Sequence, residues 1–282
     1  MTQIPAAPAT VPAAGAPTAP TAHAGTPALA TTVTGSGPGI LLAHGAGGSI
    51  EGNYGPLVPA LADGHTVVAP DYPGSGATPR SSGPLTLDGL ADALVESATA
   101  AGVETFTLVG FSLGTAVSVR AAARHPERVR GLVLTAGLAR PDHRTRTSLT
   151  LWQDFLACED FEGFARFIAL AGFGEDFLNA LPDEVFESLL TDIAAGVPAG
   201  AAEQAALVAE VDTTADLAGI SAPTLIIAPT QDTLVSPANS RFLADGIPGA
   251  AYAEIATGHV AMAERPAEWQ ALVADFLAKH SL

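Results

Sequence analysis

The chain has 282 residues, 48% of them hydrophobic, enough for one large domain or a domain carrying an insertion. Its 29 Asp and Glu against 12 Lys and Arg give a formal charge of −17. That balance favours solubility and excludes nucleic acid and anionic membrane as natural partners. The single cysteine, Cys158, excludes an intramolecular disulfide, and no His or Cys spacing suits zinc.

Residues 1–28 are nearly all Ala, Pro, Thr and Gly, without a basic start or a continuous apolar stretch. They are expected to form a disordered tail and not a secretory signal. No later run reaches transmembrane length, so a cytoplasmic location is expected. From residue 39 onward, short apolar runs alternate with helical ones. Ile40 to Ala43 reads as a buried strand, and Ile50, Tyr54, Leu57, Val58 and Leu61 as a helix face. Thr66 to Ala69 is the next strand, and Leu87 to Ala98 the next helix, ended by Gly102. Strand 105–109, helix 113–124 and strand 131–134 follow.

The alternation stops at Pro141. Residues 142–212 read as all-helical, with helices near 147–158, 160–171, 183–195 and 200–211. This stretch carries the aromatics Trp152, Phe155, Phe161, Phe164, Phe167 and Phe173. Cys158 lies in it and is expected to be buried filler. Alternation resumes with strand 224–228, a helix near 236–245 and a strand at 251–255. The last helix carries Trp269, Leu272, Val273, Phe276 and Leu277, with Pro266 suited to its first turn. Such alternation implies a mostly parallel sheet with helices on both faces, and the all-helical stretch reads as an insertion.

The chemistry gathers at strand ends. Gly110-Phe111-Ser112-Leu113-Gly114 joins a strand to a helix, and its two glycines would allow a tight turn with the serine exposed. A serine nucleophile needs a general base, and that base needs an acid to hold it. Asp232 follows strand 224–228 and His259 follows strand 251–255, each at a strand end, where reactive groups gather in open α/β sheets. An oxyanion needs N–H donors. The N–H of Leu113 is one candidate. The other is expected from His44-Gly45-Ala46-Gly47-Gly48, with Ala46 preferred over Gly45 and Gly47. His44 itself is expected to fix that loop.

Together these residues resemble the α/β-hydrolase superfamily in its capped branch. The resemblance rests on His44-Gly45, Asp71 to Gly76, Gly110 to Gly114, Arg124 to Val129, Ile220 to Thr224, Asp232, and Gly258-His259 with Glu264-Arg265-Pro266. It implies a mostly parallel central sheet and an all-helical cap inserted after the sixth strand. It also implies a core of residues 29–139 and 213–282, with residues 140–212 as cap and an opening strand near Ala30–Thr34. Ser112 is implied as nucleophile, His259 as base, Asp232 as orienting acid, and Asp71 as part of a turn. No cofactor or metal is implied. Thr115 departs from the glycine common at that place. Epoxide hydrolases and haloalkane dehalogenases of this branch have Asp where this chain has Ser112.

The expected activity is cleavage of a small or mid-sized, mostly apolar carboxylic ester through an acyl-enzyme on Ser112. The alternatives are a carbon–carbon bond hydrolase, a biosynthetic cyclase or lyase using the same three residues, and a non-catalytic ligand-binding protein. A small-molecule substrate is expected, and Trp152, Phe155 and Val260 are expected to line its pocket. Arg140, Arg144 and Arg146 are expected to pair with Asp and Glu of the insertion.

Overall fold

The computed structural model describes residues 26–282. The tail expected over 1–28 therefore lies, through residue 25, outside the described residues. Seven strands form one sheet: β1 Thr31–Gly35, β2 Gly39–Ala43, β3 Thr66–Pro70, β4 Phe106–Phe111, β5 Val129–Thr135, β6 Thr224–Pro229 and β7 Ala251–Ile255. Their order is β1-β3-β2-β4-β5-β6-β7. β1 runs antiparallel to β3, and every other pairing is parallel.

Both faces of the sheet are buried, which is why its central strands read as unbroken apolar runs. Alternate residues serve opposite faces. Leu41, Val68, Leu108, Leu132 and Ile226 share one core with helices α3 Leu87–Ala100 and α4 Leu113–Arg124. Ile40, Val67, Val109, Val133 and Ile227 share the other. That second core takes Tyr54 from the short helix α1 Ile50–Tyr54 and Leu61 from α2 Val58–Leu61. The sequence suggested one helix over 50–61; Gly55 and Pro56 instead start a separate 3₁₀ turn between two pieces.

Between β5 and β6 the chain forms α5 His143–Ala157, α6 Phe161–Gly172, α7 Glu175–Ala180, α8 Asp183–Ala195 and α9 Ala201–Glu210. α7 escaped the sequence reading because one and a half turns carry no measurable periodicity. The helical stretch follows the fifth strand of this chain and not the sixth, because only β1 precedes β2 among the described residues. Cys158 is exposed, against expectation, because it caps the C-terminus of α5 and does not lie within it. The chain closes with α10 Pro237–Gly246, α11 Ala261–Glu264 and α12 Pro266–His280. Trp269 of α12 is fully buried and donates its indole N–H to Thr135 Oγ1 at 3.0 Å. No helix among the described residues is long and apolar enough to cross a membrane.

Candidate active site

β4 ends in a sharp turn into α4. Ser112 has φ 53° and ψ −117°, a conformation that L-residues adopt only where their surroundings enforce it. Those surroundings are glycine at both flanks. A Cβ on Gly110 would stand 2.6 Å from the Gly114 carbonyl oxygen, and one on Gly114 would collide with the backbone of Ala43. The Ser112 N–H donates to Thr135 O at 3.0 Å, and its carbonyl accepts from both the N–H and the hydroxyl of Thr115. Thr115, the departure from the usual glycine, thus ties the turn down from within. Ser112 Oγ has no protein partner among the described residues.

The loops after β6 and β7 bring together two residues 27 positions apart. His259 Nδ1 donates to Asp232 Oδ2 at 2.6 Å, and both residues are buried. Asp232 is held in turn, because its Oδ1 accepts from the N–H groups of Leu234 at 2.9 Å and Val235 at 2.8 Å. A carboxylate fixed on three sides dictates the ring's tautomer and leaves Nε2 unprotonated in the neutral imidazole. The ring also packs on Phe111, 4.9 Å between centroids, beside Ser112 in the chain. No hydrogen bond joins Ser112 to His259. Such contacts often tighten only when substrate binds.

The loop after β2 is held by its own histidine. His44 is fully buried; its Nδ1 donates to Gly45 O, and its Nε2 accepts the Tyr72 N–H, both at 2.8 Å. Burial lowers its pKa to about 4, so it stands neutral with both nitrogens committed to backbone. In the same loop the Gly45 N–H donates to Asn53 Oδ1 at 2.9 Å, and the Gly47 N–H to Gln204 Oε1 at 2.8 Å. Ala46 alone of the three has an N–H without a protein partner. The Leu113 N–H, in the first turn of α4, is also without one, as helix N-termini leave their first donors.

Ala46, Gly47, Ser112 and His259 meet at a cavity of about 530 Å³. Ala46, Ser112 and His259 line it from the sheet side, and Leu149, Trp152 and Phe164 from the helical stretch. No Asp, Glu, Lys or Arg is among its walls. Asp71 stays outside: its Oδ1 accepts the Ile50 N–H at 2.8 Å, as a turn residue would.

A family model for the alpha/beta hydrolase fold matches residues 38–266. The chain belongs to the α/β-hydrolase family. It is 38% identical over 247 residues to a pyrrolizixenacetamide deacetylase of Xenorhabdus hominickii, covering 87% of this chain and 92% of that one. It is 29% identical to a pimeloyl-acyl-carrier-protein methyl ester esterase of Aromatoleum aromaticum, covering 84% and 97%. A thermophilic esterase from Thermogutta terrifontis superposes with a TM-score of 0.79 at 27% identity, over 89% of this chain and 93% of that structure. The chain is accordingly an enzyme of the hydrolase class.

In this hydrolase Trp152 and Val260 stand in the cavity wall, whereas Phe155 does not. The cavity side of α5 carries Thr145, Leu149 and Trp152, at helical spacing. Phe155, one turn on, has passed beyond it and packs on Phe167 of α6, 6.0 Å between centroids. Of the three arginines, Arg140 acts on the Asp212 carboxylate of the insertion as expected, while the other two differ. Arg144 and Arg146 donate to the backbone carbonyls of Thr233 and Ala209, not to carboxylates, and none of the three lines the cavity.

Two residues escaped sequence reading. Glu264 Oε1 accepts from the N–H groups of Gly258 and Gly174, both at 3.1 Å, and so pins the His259 loop to the start of α7. Burial pushes the Glu264 carboxyl pKa up. In the sequence Glu264 carries part of the family resemblance, but nothing local assigns it this task. Gln204, on α9, is fully buried and bonded to the loop of His44. A glutamine on a helix carries no local signal that its partner lies 157 residues away.

Proposed function

We propose that this hydrolase is a serine esterase acting on small or mid-sized, uncharged acyl compounds, with residues 140–212 as a cap over a core of 29–139 and 213–282. The observation that carries the reading is the convergence of a strained Ser112 and a buried Asp232–His259 pair on one uncharged cavity. Ser112 Oγ attacks the acyl carbon while its proton passes to His259 Nε2. The N–H groups of Ala46 and Leu113 receive the developing oxyanion. The carbon–oxygen bond to the alcohol then breaks, and His259 returns the proton to the leaving oxygen. Water, losing a proton to the same nitrogen, attacks the acyl-enzyme and releases the acid and Ser112. Asp232 stabilises the imidazolium without taking its proton.

The relative named for deacetylating an acetamide favours a second reading, an amide with a short acyl group cleaved through the same steps. A fluorophosphonate probe and a panel of p-nitrophenyl esters of rising chain length, run beside N-aryl acetamides, test both. Expected are a covalent adduct on Ser112, lost in Ser112→Ala, and turnover of the short esters. Folded protein without the adduct overturns the serine-hydrolase reading. Labelling with no turnover across the panel favours the biosynthetic or carbon–carbon chemistry instead.

A further inference from the structure

Four bonds converge where the helical stretch meets the loop of His44. Gln204 of α9, with no exposed surface, accepts the Gly47 N–H on Oε1 at 2.8 Å. Its Nε2 donates to Pro73 O at 3.1 Å and to Ser75 Oγ at 2.9 Å. Ser75 Oγ donates onward to Gly48 O at 2.6 Å. The side-chain amide is therefore saturated along one edge by the core, and its remaining oxygen fixes one peptide of the loop.

Consecutive peptide N–H groups cannot turn independently. With Gly45 N–H held by Asn53 and Gly47 N–H held by Gln204, the peptide between them is clamped at both sides. Its N–H, that of Ala46, is the one of these three left unpartnered, and Ala46 lines the cavity. The start of α9 is locked against the core as well. Gly200 N–H donates to Gly74 O at 3.1 Å, and neither glycine has room for a Cβ facing the other. Gly47 in turn packs on the Trp152 ring of α5. The donor geometry of the core thus depends on helices of the insertion.

We propose that Gln204 is a positioning residue for the oxyanion site: by holding the Gly47 peptide it aims the Ala46 N–H at the substrate oxygen, so that the oxyanion hole is complete only while α9 is docked. This rests on the serine-hydrolase reading above. The role predicts a defect in the transition state and little change in ground-state binding. Losing an oxyanion donor outright costs about 10²–10³ in kcat, so misdirecting one should cost about 10–100-fold.

The test compares the full-length wild type with Gln204→Met, which keeps the volume and loses every hydrogen bond, and Gln204→Glu, which keeps an acceptor for Gly47. Each is assayed on a p-nitrophenyl ester and on the matching thionoester, whose sulfur gains little from oxyanion donors. Expected for Gln204→Met is a kcat lower by about 10–100-fold with KM within about threefold. Its oxygen-to-sulfur rate ratio should collapse by a similar factor, and Gln204→Glu should recover part of it. A purely structural role lowers both rates together, and an unchanged ratio overturns the proposal. Should Gln204→Met fail to fold, Ser75→Ala, which removes one anchor of the same amide, must lower the ratio by a smaller factor or the proposal falls. A wild type that neither labels with fluorophosphonate nor turns over ester overturns the hydrolase reading, and the positioning role with it. A wild type that does both, beside a variant with an unaltered ratio, overturns the positioning role alone.

Discussion

His44 and His259 occupy comparable loops, one after β2 and one after β7; both are buried, and only His259 lines the cavity. Their chemistry differs because their partners differ. His44 has backbone on each nitrogen and burial without a carboxylate in hydrogen-bond contact, so it is held neutral and idle. His259 has a fixed carboxylate on Nδ1 and an uncommitted Nε2 beside the cavity that Ser112 lines. A histidine becomes a general base through what binds its far nitrogen and what leaves the near one free; burial alone makes it a strut.

Substitutions can break this contrast. The largest effect is expected from His259→Gln, which should lower kcat/KM about 10⁴-fold or more with the melting temperature nearly unchanged. His44→Gln should invert the pattern. It loses the stacking on Tyr72, 4.0 Å between centroids, and one of two buried hydrogen bonds, and should cost about 2 kcal/mol in urea unfolding. If His44→Gln abolishes turnover while leaving stability intact, the two roles have been assigned to the wrong histidines. Asp232→Asn comes next on the activity scale. Its amide can keep the Leu234 and Val235 contacts through oxygen, but it presents N–H to His259 Nδ1 and forces the wrong tautomer. A loss of about 10³–10⁴-fold in kcat is expected.

The pH dependence of stability sharpens the same contrast. The His44 pKa is about 4 folded, against about 6.5 unfolded, so between those values the unfolded chain binds more protons. Its contribution is therefore fully present above pH 6.5 and lost as pH falls toward 4, worth about 3 kcal/mol at the limit. Urea midpoints of wild type and His44→Gln should converge as pH drops from 7 to 4.5; parallel curves would show that His44 titrates normally. The smallest effect is expected from Val260→Ala beside His259. Opening that wall should move the preferred acyl chain by about one or two carbons, about tenfold in relative kcat/KM, whereas Phe155→Ala should leave the preference alone.

Much of the fold was legible because its signals are local. Strands β2 to β7 announced themselves as apolar runs between turn residues, and α4 starts and ends where its sequence reading put it. Ser112, Asp232 and His259 were candidates for a related reason: each lies within four residues of a strand's end, and strand ends are where a parallel sheet presents its loops. Reading failed where the answer depended on a partner. Cys158 looked internal until the end of α5 fell just before it. Arg144 and Arg146, in a chain so acidic, invited carboxylate pairing and found carbonyl oxygens instead.

The amino-acid sequence by itself determined the order of strands and helices, the glycine-flanked serine turn and the chain order of Ser112, Asp232 and His259, since periodicity and turn chemistry act over a few neighbouring residues. Only the tertiary structure decided that Gly45 and Gly47 are spoken for while Ala46 is not, that Trp152 faces the cavity while Phe155 turns from it, and that Gln204 and Glu264 tie the helical stretch to the two histidine loops. The physical reason is range. A hydrogen bond spanning 157 or 90 residues leaves no trace in the local pattern around either partner, yet it sets where an N–H or a ring points.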